Sequence, residues 1–258
     1  NKIGFLWFAA GLAVSMFLTK DRTKLKTFSP WLTVVIALII FSPFIIWNVL
    51  NDFAHLEFIR NATQNKYSGI TPVDFILGQM LLQNPISIFI WLPGIYYLFF
   101  HPEGKKFKAA AIIYLTSFII LIINWHSKAE YLAAAYPVLF AAGGVFWEKL
   151  ELRKNIRWIK FAIVVPLIMS GLIILPLALP ILPVETYIKY ADALGMSPSS
   201  SESKELAELP QFYADMFGWE DLAKNISEVY QSLPEEDKND VVVFAPNYGV
   251  AGAVEYYS

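Results

Sequence analysis

The 258-residue chain contains no cysteine, which excludes disulfides, zinc–thiolate sites and thiol nucleophiles together. Charge is scarce as well: 16% of residues are Asp, Glu, Lys or Arg, against about 25% in a typical soluble protein. Only three histidines are present, His55, His101 and His126. They lie on different segments without the spacing of metal ligands, so no metal site is expected. A glycine-rich phosphate loop is also missing. Gly143 and Gly144 sit inside an apolar run, where close helix packing is the expected role. Residues 247–252 (Asn-Tyr-Gly-Val-Ala-Gly) lack the G-x-G-x-x-G spacing of a nucleotide-binding turn. No two carboxylates stand out as an acid/base couple. No cofactor can be named from these residues, and no nucleic-acid partner is expected.

What the chain has in excess is apolar sequence. Hydrophobic residues make up 56% of it, arranged in long uncharged runs that a soluble core does not need. Six runs are candidate spans: residues 3–19, 31–50, 86–100, 107–124, 129–147 and 159–182. The apolar character of 73–100 is too long for one straight span of about 20 residues. Asn84-Pro85 is expected to divide it into an interfacial helix and the span that follows. Pro43 lies inside the second run, where a membrane helix absorbs a kink.

Cations alternate between the loops. Lys20, Arg22, Lys24 and Lys26 follow the first run, Lys105, Lys106 and Lys108 precede the fourth, and Lys149, Arg153, Lys154, Arg157 and Lys160 follow the fifth. The intervening loops carry only Arg60, Lys66 and Lys128. By the positive-inside rule the basic loops are cytoplasmic, which puts everything after Leu182 on the outer side. The reading is therefore an α-helical polytopic membrane protein of about six spans (1–182), followed by a small, acidic α/β extracytoplasmic domain (183–258). In that domain Leu222, Ile226, Val229, Tyr230 and Leu233 recur at helical spacing, and Pro234 ends the helix. The β-branched run Val241 to Ala245 predicts a buried strand, with a turn at 247–249 and a further helix over 251–257. Residues 197–203 read as a polar connection. The first residue is Asn1, and the last, Ser258, directly follows Tyr256 and Tyr257. We therefore expect a piece of a longer protein, incomplete at both ends.

Polar groups at membrane depth or at its edge are the candidates for function, because burying them without partners is costly. The densest group is Asn124-Trp125-His126-Ser127-Lys128-Ala129-Glu130-Tyr131, on a short turn between two runs. Lys128 suits a phosphate, and His126 and Tyr131 suit a polar headgroup or sugar. The alternative is a snorkelling Lys128 within an interfacial aromatic belt. A second group, Trp47, Asn48, Asn51, Asp52, His55, Glu57 and Arg60, lies where a run meets a loop. It reads either as a grip on a polar ligand or as a solvated helix end with Asp52 and Glu57 satisfied by Arg60.

Several of these stretches resemble a known family. Phe41-Ser42-Pro43 with Ile46-Trp47-Asn48 is similar to the "SP..(I/L)WN" segment of bacterial membrane glycosyltransferases of the protein-mannosyltransferase-like group (family 39, GT-C). His126 to Leu132 with Tyr136-Pro137 resembles their "H-x-K-x-x-Y-L…YP" segment. Leu209-Pro210-Gln211, Ala214-Asp215, Phe217-Gly218-Trp219-Glu220 and residues 247–253 resemble their extracytoplasmic end. The resemblance runs from about Trp31 onward with the motifs in order.

It implies an enzyme that moves a sugar from a polyisoprenyl-phosphate donor to an acceptor on the outer side of a bacterial inner membrane. Membrane lipid is the other implied partner. The catalytic carboxylate of such enzymes belongs to a first external loop upstream of this chain. No catalytic residue is therefore assigned here, and the fragment alone is expected to be inactive. In this light Lys128 holds the donor's phosphate with His126 and Tyr131 as neighbours, while Trp47 and Asn48 shape a helix end beside the cavity. Two other readings stand beside it: a transporter or flippase, and a membrane-anchored binding module that recognises a partner through its acidic tail.

Overall fold

The computed structural model describes residues 4–196 and 208–257, and every regular element among them is helical. The connection expected at 197–203 lies outside the described residues. Two compact units are present, residues 4–179 and residues 180–196 with 208–257.

The first unit opens with α1 (Phe5–Leu18) and, after a basic 3-10 turn (Lys20–Lys26), α2 (Phe28–Leu50). Asp52 and Phe53 take left-handed backbone angles (φ 49° and 58°) and turn the chain into α3 (Ala54–Asn61). Next comes α4 (Pro72–Leu81), whose start is fixed by a reciprocal cap. Thr71 Oγ1 accepts from the Asp74 N–H, the Asp74 carboxylate accepts from the Thr71 N–H, and Pro72 leads the first turn.

α5 (Ile88–Phe100) follows after the break at Asn84-Pro85. Asn84 has φ 68°, its Oδ1 accepts from the Ile86 N–H at 3.1 Å, and its Nδ2 donates to the Leu167 carbonyl at 3.3 Å. The helices on either side meet at 91°, the bend expected at this dipeptide. α6 (Lys108–Ile123), α7 (Tyr136–Lys154) and α8 (Ile159–Ala178) complete the unit.

Four helical stretches are long and apolar enough to cross a membrane: Phe28–Leu50, Gly104–Ile123, Ala129–Lys154 and Ile159–Ala178. The bent pair of α4 and α5 makes a fifth if counted as one span. The chain is thus a helical membrane protein, but the expected six spans become four or five. The run at 86–100 counts only as part of that bent pair, and the run at 3–19 appears as the shorter apolar helix α1, with 14 residues. α1 packs along α6. A side chain at Gly11 would come within 2.8 Å of the Ile113 carbonyl, and Ser117 Oγ donates to the Trp7 carbonyl at 3.1 Å.

The core of the unit gathers Phe75, Trp91, Tyr114, Leu121, Leu132, Tyr136 and Leu139 from α4 to α7. α5 and α7 touch backbone to backbone, since a side-chain carbon at Gly94 would strike Leu139 and one at Gly143 would strike Ile90. α2 and α8 behave differently. The only buried residue of α2 is Asn48 and the only one of α8 is Leu177, while most of their other isoleucines, leucines and valines face outward. In water that surface would be untenable; against lipid it is the ordinary state of a span.

The second unit contains α9 (Val184–Ala193), α10 (Gln211–Ala214), α11 (Trp219–Gln231), α12 (Glu235–Lys238) and α13 (Tyr248–Tyr257). Tyr187 and Tyr213 stack at 4.8 Å, and the Tyr213 hydroxyl donates to the Leu182 carbonyl. The helix expected around Leu222 is α11, and that expected over 251–257 is α13, which begins earlier, at Tyr248.

The α/β character expected of this domain is corrected: among the described residues there is no strand. Residues 241–245 form an irregular segment with Val242 and Phe244 87% and 91% exposed. β-branched composition favours a pleated backbone, but a strand exists only beside a neighbour that completes its ladder. No described segment lies there. Val241 and Val243 border an open apolar pocket together with Ile226, Val229 and Tyr230 of α11 and Leu233 just beyond it.

Candidate functional site

The turn between α6 and α7 is shaped by its own polar groups. Trp125 takes φ 65°, the His126 N–H donates to the Asn124 carbonyl at 2.8 Å, and Asn124 Nδ2 donates to Ser127 Oγ at 3.0 Å. Ser127 is buried, and Lys128 then leads a 3-10 segment (Ala129–Ala135) into α7. Trp125 stands outward, 59% exposed, while His126, Lys128 and Tyr131 are half-buried.

Two distant segments close on this turn. His126 Nδ1 lies 3.0 Å from the carbonyl of Ile70, the residue before the cap of α4. A carbonyl only accepts, so Nδ1 carries the proton, and in the neutral ring Nε2 presents a lone pair. The Lys128 ammonium stands 4.8 Å from the centre of the Tyr67 ring, a cation–π contact. Tyr131 stacks on Trp7 of α1 at 5.4 Å. A cation, an imidazole with a free acceptor and two aromatic faces thus share one polar corner of the helical unit.

Beneath the corner runs a buried hydrogen-bonded chain. Gln79 of α4 is 3% exposed; its Nε2 donates to the Phe75 and Ala129 carbonyls, each at 3.1 Å, and its Oε1 accepts from the Tyr136 hydroxyl at 2.8 Å. Tyr114 and Tyr136 hydroxyls are 3.2 Å apart. An unsatisfied amide at this depth costs on the order of 1–3 kcal/mol, so these partners are what allow Gln79 to lie in an apolar core.

The second sequence group does not join this corner. Asn48 is 6% exposed and works within its own segment: Nδ2 donates to the Phe44 carbonyl at 3.0 Å and Oδ1 accepts from the His55 N–H at 3.2 Å. Trp47 is 52% exposed, and the Asn51 side-chain amide donates to its carbonyl at 2.8 Å. His55 lies edge-on to Phe44 and stacks over Phe58, with a buried Nε2 that has no hydrogen-bond partner. Asp52, Glu57 and Arg60 are exposed, and among the described residues no ion pair joins Arg60 to either carboxylate. Among the described residues no group of three or more His, Asp or Glu side chains is arranged to hold a metal ion.

Sequence reasoning missed Trp7, Tyr67, Ile70 and Gln79. The first three carry no local mark, because loops and helices tens of residues away bring them in. Gln79 does carry one: it is the only amide between Val73 and Leu82, a polar group in an apolar run. Comparison with family models, with curated proteins and with solved structures finds no match.

Proposed function

We propose that this chain is the C-terminal part of a membrane glycosyltransferase that moves a sugar from a polyisoprenyl-phosphate donor to an acceptor on the outer side of a bacterial inner membrane. The observation that carries the reading is the placement of Lys128. It is a half-buried cation over the Tyr67 ring, on the same short turn as His126, which meets the Ile70 carbonyl, and Tyr131, which stacks on Trp7. Transfer from a lipid phosphate needs a cation for the departing phosphate, where charge-assisted contacts stabilise the developing negative charge. Lys128 supplies that charge. His126, with Nδ1 on the Ile70 carbonyl, leaves Nε2 for a donor hydroxyl, and Tyr67 and Tyr131 offer flat faces of the kind that sugars and isoprenoids pack on. The acceptor's general base is assigned to sequence outside this chain, so the fragment by itself binds donor without turning it over. Trp47 and Asn48 shape the end of α2.

The reading also draws on the sequence resemblance, which includes His126, Lys128 and Tyr131. A flippase draws on one observation of its own, the 91° break between α4 and α5, since discontinuous helices line the sites of many transporters. One experiment separates the two. In the full-length protein, Lys128→Ala is expected to lower sugar transfer at least about a hundredfold, the scale of losing one charge-stabilising group, with membrane insertion intact. Transfer at the native rate overturns the assignment. Lipid movement between leaflets without any sugar transfer, in the native protein, favours the flippase.

A further inference from the structure

The buried chain under the corner has a single possible polarity. Both partners of the Gln79 nitrogen are backbone carbonyls, which only accept, so the amide cannot be turned round. Its oxygen therefore faces Tyr136, whose hydroxyl proton is committed to it at 2.8 Å. The remaining contact, 3.2 Å between the two tyrosine oxygens, must then run from the Tyr114 hydroxyl into Tyr136. Donation passes from Tyr114 to Tyr136 to Gln79 and ends on the Ala129 carbonyl, one residue beyond Lys128.

The neighbouring Gly78 deepens this seat. A side-chain carbon there would collide with the Ala129 side chain, so α4 meets the turn directly. The turn is therefore pinned on both sides of Lys128, at His126 by the Ile70 carbonyl and at Ala129 by Gln79. Both anchors belong to α4 or to the residue before its cap.

From this geometry we propose that Gln79 is a positioning residue: its amide fixes the Ala129 carbonyl, one residue past Lys128, and so holds the ammonium in the corner beside Tyr67. The inference rests on the reading of Lys128 as the phosphate-binding cation. α4 thereby becomes the template of the site, and Tyr136 and Tyr114 serve by keeping the Gln79 amide in one orientation.

The test is a double-mutant cycle on the full-length protein in nanodiscs, with a polyisoprenyl phosphate as probe and tryptophan fluorescence as readout. Lys128→Ala weakens binding, and Gln79→Met, which keeps the volume and removes the amide, weakens it about tenfold when Lys128 is present. With Lys128 already replaced, Gln79→Met costs nothing more. A purely structural role gives the same loss in both backgrounds and overturns the proposal. Native affinity in Gln79→Met with weakened Lys128→Ala overturns it too, leaving the phosphate reading in place. Native affinity in Lys128→Ala overturns both. Should Gln79→Met not fold, Tyr136→Phe keeps the ring and removes the hydroxyl that links Tyr114 to the amide oxygen. Its smaller loss, about threefold, must again vanish without Lys128.

Discussion

At the scale of single residues, the two polar groups singled out from sequence have different fates. His126, Lys128 and Tyr131 sit on one short turn and are brought into one corner, whereas Trp47 and Asn48 serve their own helix end. Asn48→Ala removes hydrogen bonds to the Phe44 carbonyl and the His55 N–H. It is expected to cost about 1–2 kcal/mol in thermal or denaturant unfolding of the purified protein. Trp47, half in the open, gives within roughly 0.5 kcal/mol of native on substitution by alanine. Equal losses at the two positions would show that Asn48 is not the tie. The corner was legible in part because His126, Lys128 and Tyr131 are adjacent in sequence and polar in an apolar setting. Tyr67 was not, and the lone amide of Gln79 in its apolar run marks a buried polar group without naming a partner some fifty residues away.

At the scale of elements, helix breaks and caps follow local chemistry closely. Asn84-Pro85 breaks the 73–100 run, because the Asn84 side chain closes on the Ile86 N–H and proline offers none of its own. How closely helices approach is set by glycine. Gly143→Leu is expected to destabilise the α5–α7 contact by roughly 1–3 kcal/mol, as overpacking does. Gly144→Leu, where an added carbon meets nothing within 4 Å, leaves the unfolding temperature nearly unchanged. Reversal of that order would refute the packing described.

The turn between α5 and α6 is tied to α7 by Glu103, whose carboxylate oxygens lie 2.8 Å from Lys149 Nζ. That ammonium holds the Glu103 carboxyl below the ordinary carboxylate range. A depressed acid stabilises the fold above its unfolded pKa and loses that contribution as pH falls through the folded one. The small difference in unfolding temperature between native protein and Glu103→Gln is therefore present at neutral pH and lost as acid protonates Glu103 in the folded protein. A difference that persists in acid would mean that the pair is not its source. The expected strand at 241–245 failed for a reason at this same scale: propensity belongs to one segment, but a ladder needs two.

At the scale of the whole molecule, the basic loops fall at alternate ends of the longer helices once the bent pair of α4 and α5 is counted as one span. The native absence of cysteine makes sidedness directly testable with single introduced thiols. Ser232→Cys, on the exposed end of α11, is expected to react with a membrane-impermeant maleimide in intact cells. Lys106→Cys, in an exposed basic loop, should react only after permeabilisation. The opposite pattern would invert the topology and place the Lys128 corner on the cytoplasmic side.

Sequence by itself determined the membrane class, the positions of the long helices and their breaks, and the short polar turn at Lys128. These depend on the local density of apolar side chains and on the backbone chemistry of Pro and Asn, which act over a few residues. Tertiary structure alone decided that α1 lies along α6, that residues 241–245 stay unpaired, and that Gln79, Ile70 and Tyr67 meet the Lys128 turn. Such outcomes depend on which surfaces are adjacent in space, and a buried hydrogen bond is specified by both of its partners at once.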